Sequence, residues 1–357
     1  MFDRRWLRLL AVLMGLLLFT AACGDDDGTS TSDGSDSADE GTDGGELPGE
    51  GMRIGLVYDI GGRGDQSFND SAYEGLSQAQ EELGVEIQDL EPAAGGENRE
   101  ELLRTLADDG YDMVIGIGFA FAESMGAVVA DYPDTTFAIV DDASVEADNL
   151  TSLVFAEEQG SFLVGAAAAS ESESGSLGFI GGVEVDLIKK FEAGFIAGAT
   201  EVNPDATVDV KYITQPPDFS GFNDPAKGKE IALAQYGAGV DVIYAAAGGS
   251  GGGLFEAASE VGGKAIGVDS DQYNIVDEAV RDVIITSMIK RVNVAVFGAI
   301  EAFVNGELEP GVRTFDLTND GVGYSTSGDF LSEDTIATLE ELKQQIIDGE
   351  IEVPTAP

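Results

Sequence analysis

The sequence predicts an α/β protein built as two doubly wound, parallel-sheet lobes that face each other across a cleft. Three observations carry this. From residue 53 onward, apolar strand-like runs alternate with helix-like runs at the spacing of parallel βαβ units. The pattern restarts after residue 155. Polar or Gly-rich stretches recur just after the strand-like runs, at 59–70, 118–121, 141, 248–253, 269 and 290. In parallel sheets the carboxyl ends of strands carry the ligand loops. Two lobes presenting such ends to one another make a binding cleft.

The chain begins with features of export. Arg4, Arg5 and Arg8 precede an apolar stretch over 9–19, and Thr20-Ala21-Ala22-Cys23 resembles a bacterial lipobox with Cys23 as the lipid acceptor. Thr20 departs from the usual Leu of that motif. The apolar stretch is short for a spanning helix. Residues 1–23 therefore read as a lipoprotein signal peptide. Cys23 is the only cysteine, so no intramolecular disulfide forms. Residues 24–51 are rich in Asp, Ser, Gly and Glu, and nearly lack apolar side chains. They read as a disordered acidic tether. The chain carries 67 acidic and 18 basic residues, a formal net charge of −49, which disfavours nucleic acid and anionic lipid headgroups as partners.

The first repeat of the pattern predicts strands at 53–58, 85–90, 111–117 and 136–140, with helices over 71–83, 98–108 and up to 131. Leu102, Leu103 and Leu106 form the apolar face of the second helix. The second repeat predicts a small-residue helix at 157–169, a strand at 176–181 and a helix at 186–202. Strands at 207–214, 241–247 and 264–268 follow, with helices between them. A helix at 275–281, a strand at 284–288 and a helix at 293–304 come next. Short strands at 314–317 and 321–324 and a last helix at 333–348 complete the chain.

Two stretches echo each other: Ser67-Phe68-Asn69-Asp70 and Gly221-Phe222-Asn223-Asp224. Each opens a predicted helix, so capping by Asn or Asp explains part of both. It does not explain a Phe at a polar, Gly-rich loop in both places. Core packing is one reading of the two rings. The other places them on opposite walls of the cleft, with a flat ligand stacked between them.

Enzyme chemistry finds little footing. Gly248-x-Ser250-x-Gly252 matches a nucleophile elbow, but the chain has no histidine and can build no Ser-His-Asp triad. A full dinucleotide fingerprint and a P-loop are absent, and zinc sites lack their usual His and Cys ligands. Composition leaves room for a two-carboxylate hydrolase, though no spacing favours one. Arg63-Gly64-Asp65, an adhesion-like tripeptide, is taken as coincidence.

Several stretches together resemble the basic membrane protein / PnrA-like family of substrate-binding lipoproteins. They are RIGLVYD (53–59), DQSFN (65–69), AYEGL (72–76), FAIVD (137–141), FNDPAKGKE (222–230), GVDSDQ (267–272) and SMIKR (287–291). The resemblance spans residues 52–350. It implies a type I periplasmic-binding-protein fold that serves an ABC importer and binds purine nucleosides. It implies no catalytic residue, cofactor or metal, and a monomer anchored only by its N-terminal lipid. By the family pattern, Phe68 and Phe222 would sandwich the base. Asn69 and Asp141 would bond its edge, with Asp65 in support. Asp269 and Lys290 would take the ribose, Gly248 and Gly249 would approach the sugar, and Phe119 would lie on the wall. The lobes would comprise 52–155 plus 274–305 and 156–273 plus 306–350, with 351–357 as a tail. The crossover hinges would lie near Phe155, Tyr273 and Asn305. Other small polar solutes, a nucleoside hydrolase and a sensor for a membrane kinase stay as alternatives.

Overall fold

The structure, a computed structural model, describes residues 47–357. The expected signal peptide, Cys23 and the tether as far as residue 46 lie outside the described residues. Residues 47–51, expected in the tether, instead turn back onto the fold. Gly49 N donates to Leu83 O at 2.8 Å, and Gly49 packs so closely on Val85 that a Cβ there would clash. At the other end Val353, expected in the tail, is buried in the core.

The first sheet contains β1 (Arg53–Val57), β2 (Glu86–Leu90), β3 (Met113–Gly116), β4 (Thr136–Val140), β5 (Leu150–Phe155) and β11 (Gly311–Phe315). Their spatial order is β11-β5-β4-β3-β1-β2, parallel throughout. The second contains β6 (Ser176–Val183), β7 (Thr207–Thr214), β8 (Val242–Ala246), β9 (Lys264–Asp269), β10 (Ile284–Lys290) and β12 (Val322–Tyr324). Its order is β12-β10-β9-β8-β6-β7, with only β12 antiparallel. The two sheets repeat one topology: β2-β1-β3-β4-β5 corresponds to β7-β6-β8-β9-β10. The central strands read as unbroken apolar runs because helices cover both faces, and β3 and β8 are buried at every residue.

The first lobe carries α1 (Phe68–Leu83), α2 (Arg99–Asp108), α3 (Ala122–Val128) and α8 (Val292–Val304). The second carries α4 (Glu157–Glu171), α5 (Asp186–Val202), α6 (Pro225–Gly237), α7 (Gly251–Val261) and α9 (Glu333–Ile347). Helix α1 buries Ala72, Leu76 and Ala79 and packs against α8. The small residues of α4 have a specific use. A Cβ at Gly165, Gly194 or Gly198 would run into the backbone of Phe195, Glu158 or Phe162, so α4 and α5 cross with their backbones in contact.

Several expectations need correction. No α-helix forms at 275–281. There the Asp277 carboxylate accepts from Ala279 N at 2.8 Å, a local bond that competes with helix, and only short 3-10 turns flank the segment. Strand β5 was not foreseen. Strand β10, expected in the first lobe, pairs with β9 in the second sheet, and β11, expected in the second lobe, pairs with β5 in the first. The chain therefore passes between lobes at Ala156, at Arg291 and over 316–321. The first crossing lies next to Phe155, whereas no crossing falls at Tyr273 or Asn305. Strand pairing joins residues far apart in sequence, and local pattern does not specify it.

Candidate functional site

The carboxyl ends of the two sheets enclose one cavity. Nine of the proposed ligand residues line it: Asp65, Phe68, Asn69, Phe119, Asp141, Phe222, Gly248, Asp269 and Lys290. Its volume is about 60 Å³, so it is a narrow slot. Bonds between the lobes close one side. Ser67 Oγ donates to Asp269 Oδ2 at 2.5 Å, Gln272 Nε2 to Gln66 O at 2.9 Å, and Gln66 Nε2 to Ile275 O at 3.2 Å.

Gly249 is the exception. A Cβ there would stand 3.4 Å from Asn223 Oδ1 and 3.5 Å from Asp65 Cβ, in ordinary contact with the facing loops and outside the cavity. Gly248 does line the cavity, and its φ of 53° is readily adopted by glycine.

The start of α1 is built by Asp65. Its Oδ1 accepts from Ser67 N at 3.0 Å and Asp70 N at 3.1 Å, and its Oδ2 from Asn69 N at 2.9 Å. Burial pushes this carboxyl up to about 6, against the pull of those three donors. Its inward bonds also remove the adhesion reading of Arg63-Gly64-Asp65. Asn69 Oδ1 accepts from Asp59 N at 3.0 Å, so that bond engages the oxygen and not the Nδ2 of its amide. At the echoing stretch Asp224 caps α6, its Oδ1 accepting from Lys227 N at 2.9 Å.

The echo is not the internal symmetry of the fold. Helix α1 follows β1, whereas Phe222 follows β7. The true counterpart of α1 is α5, which follows β6, and its Leu187, Ile188 and Phe191 line the cavity. An apolar helix start directly after a strand was the available signal. Phe222 packs edge-on against Phe119 from the other lobe, with centroids 6.5 Å apart.

Two carboxylates enter from strand ends of opposite lobes. Asp141 follows β4 and Asp269 ends β9, topologically equivalent positions, and both have a left-handed backbone at φ 68° and 64°. Few non-glycine residues adopt it, and Asp is among those that do. Lys290, at the end of β10, is 2 % exposed. Its Nζ donates to Asp141 Oδ2 at 2.6 Å and lies 3.2 Å from Glu157 Oε1. The rings of Phe155, Phe68 and Phe191 surround it, with centroids 5.0, 5.1 and 5.6 Å away. Burial alone would lower the Lys290 pKa, but Asp141, Glu157 and Asp269 more than offset it and hold the ammonium charged. Burial raises Asp141 to about 7 despite Lys290, and raises Asp269 as well. Asp141 Oδ1 is buried with no hydrogen-bond partner among the described residues.

Sequence reasoning also missed Asp59 and Glu157. Asp59 lines the cavity while its Oδ1 accepts from Arg99 Nη2 at 3.0 Å. Ser250, of the elbow-like pattern, is buried, donates to Gly221 O at 2.8 Å and accepts from Asp224 N at 2.7 Å, so it is structural. Among the described residues no cluster of three or more His, Cys, Asp or Glu is arranged to hold a metal ion.

Residues 52–356 match the family described as ABC transporter substrate-binding protein PnrA-like. The chain belongs to this family. It is 36% identical to a CD4+ T-cell-stimulating antigen of Listeria innocua, over 90% of this chain and 93% of that protein. It is 33% identical to the ABC transporter nucleoside-binding protein BmpA of Lactococcus lactis, over 85% and 89% of the two chains. A solute-binding protein of an ABC transporter system from Aeropyrum pernix has the same fold, with a TM-score of 0.76 and 29% identity over 85% and 93%. As a PnrA-like protein this chain is a non-enzymatic, extracytoplasmic binder that presents a small-molecule ligand to a permease. The hydrolase alternative falls with that assignment.

Proposed function

We propose that this PnrA-like protein captures a purine nucleoside in the interlobe cavity and delivers it to its ABC permease, held at the outer face of the membrane by a lipid on Cys23. The observation that carries the reading is the composition of the slot. It sets the rings of Phe68, Phe119 and Phe222 beside Asp141, Asp269 and Lys290. A nucleoside has the same two halves, a flat base and a polyol. Phe68 and Phe222 take the base. Asn69 Nδ2 and Asp141 Oδ1, which has no hydrogen-bond partner among the described residues, meet its edge, with Asp65 holding the loop. Asp269 accepts from ribose hydroxyls and Lys290 donates to them. The relative from Lactococcus lactis, named as a nucleoside-binding protein, supports this choice of ligand.

Isothermal titration with inosine, guanosine, adenosine, cytidine, free bases and ribose tests it. Saturable binding of a purine nucleoside, tighter than its base or ribose alone, is the expected result. Binding of a sugar or another solute, with silence across the nucleosides, keeps the receptor role and removes the base sandwich. For the anchor, Cys23→Ser is expected to move the protein into the soluble fraction; continued membrane attachment would refute the lipid on Cys23.

A further inference from the structure

We infer that Glu157, which lies outside the cavity, is a positioning residue for the ligand site: with Lys190 it holds the Lys290 ammonium at the cavity wall, so a residue at the first interlobe crossing governs the affinity of the site. The inference rests on the reading that the ligand meets Asp141 and Lys290.

The geometry is a chain of alternating charges. Lys190 Nζ donates to Glu157 Oε2 at 3.1 Å and Lys290 Nζ to Asp141 Oδ2 at 2.6 Å, while Glu157 Oε1 lies 3.2 Å from Lys290 Nζ as an ion pair without hydrogen-bond geometry. The Glu157 side chain is 0 % exposed and that of Lys190 is one-third exposed, so the chain runs from the surface to the cavity wall. Its members come from different parts of the fold. Asp141 belongs to the first lobe and Lys290 to the second. Glu157 is the first residue of α4, directly after the crossing at Ala156.

Three features explain why Lys290 needs a second anion. The rings of Phe68, Phe155 and Phe191 attract an ammonium but give it no fixed direction. Asp141 offers one oxygen, and a ligand donor arriving at its other oxygen competes with Lys290 for the same carboxylate charge. Glu157 does not line the cavity, so no ligand competes for it. The position suits a carboxylate, because the amino end of α4 stabilises negative charge. It is also set firmly. Gly194 lets α5 touch the backbone of Glu158, and Lys190, one turn earlier on α5, thereby reaches Glu157. A buried carboxylate between two lysines is tolerated only while both charges are compensated.

The test compares wild type, Glu157→Gln and Lys190→Met by titration with inosine and by the 15N signal of the lysine ammonium groups. Loss of a signal in Lys290→Met assigns it. Glu157→Gln keeps the shape and removes the charge, and should weaken inosine by about tenfold or more. It should also abolish the slowly exchanging Lys290 signal without ligand present. Lys190→Met removes only the outer, partly solvated partner and should weaken inosine by about threefold. Unchanged inosine affinity in Glu157→Gln overturns the inference. Weaker binding with an intact Lys290 signal also overturns it, because the ammonium would not have moved. If wild type binds none of the nucleosides, the nucleoside reading fails, and the ammonium signal alone decides: its loss in Glu157→Gln upholds the positioning role and its persistence overturns it. If Glu157→Gln does not fold, unchanged affinity and signal in Lys190→Met overturn the inference and weakened ones uphold it.

Discussion

Asp141→Asn probes the site at its most perturbed carboxylate. Asn tolerates the left-handed backbone that Asp141 adopts at φ 68°, so the exchange removes a charge and leaves the strand end in place. In the wild type Oδ2 accepts from Lys290 at 2.6 Å, while Oδ1 is buried and unpartnered among the described residues. The proposed ligand donor fills that position. A hydrogen bond to a charged group contributes about 1.5–3 kcal/mol and a neutral one about 0.5–1.5 kcal/mol. The difference, about 1–1.5 kcal/mol, weakens Kd by about five- to twelvefold. A pH signature accompanies it. Burial holds the Asp141 pKa at about 7, with Lys290 opposing that rise and Glu157 and Asp269 reinforcing it. The charged form, which accepts the donor, therefore grows in across neutrality, and wild-type affinity should rise from pH 6 to pH 8. Asp141→Asn should flatten that rise. Titration calorimetry with the nucleoside that binds wild type, at pH 6, 7 and 8, reads both effects. A variant whose Kd stays within about twofold of wild type at pH 8 would refute the role of Asp141 as an acceptor.

Three other outcomes are expected. Phe222→Ala should weaken nucleoside binding by about 1–3 kcal/mol, the usual contribution of base stacking on an aromatic side chain; an unchanged Kd by calorimetry would take Phe222 out of the site. Ser67→Ala removes the donor from buried Asp269 Oδ2 and should cost the closed arrangement about 1–3 kcal/mol, seen as a larger radius of gyration by small-angle scattering of the ligand-free protein. An unchanged radius would show that this bond does not hold the lobes. Stability should increase as pH falls from 8 to 5. The folded chain raises Asp65 to about 6 and Asp141 to about 7, so it binds protons more tightly than the unfolded chain. That contribution is fully present below the ordinary carboxylate range and is lost as pH rises through 6 and 7. Every tenfold gain in proton affinity on folding corresponds to about 1.4 kcal/mol. Self-repulsion from the net charge of −49 also falls with acid. A thermal midpoint no higher at pH 5 than at pH 8, at constant ionic strength, contradicts this.

Much of the cavity was legible because its residues sit where local sequence places them. Asp141, Asp269 and Lys290 directly follow or end strands, and the carboxyl ends of parallel strands converge on the ligand side whatever the order of the strands. Phe68 and Phe222 were noticed because a ring in a polar loop is unusual. The echo between their two stretches nevertheless misled, since it pairs the helix after β1 with the segment after β7. Asp59 and Glu157 carried no local signal. A carboxylate after a strand and another opening a helix are common in a chain with 67 acidic residues. Their roles come from Arg99 and Lys290, which lie 40 and 133 residues away in sequence.

By itself the sequence determined the alternation of strands and helices, the split into two α/β lobes and the chemistry at the strand ends. Periodicity and turn chemistry act over a few residues, and each of these features is that local. Only the tertiary structure decided that β10 completes the second sheet and β11 the first, that α5 lines the cavity opposite α1, and that Gly249 stays outside it. It also decided that Glu157 stands behind Lys290 and that Asp141 titrates near neutrality. Strand partners are chosen by burial across the whole chain, and a carboxyl's pKa by the water it loses and the charges brought beside it. Neither quantity exists until distant segments meet.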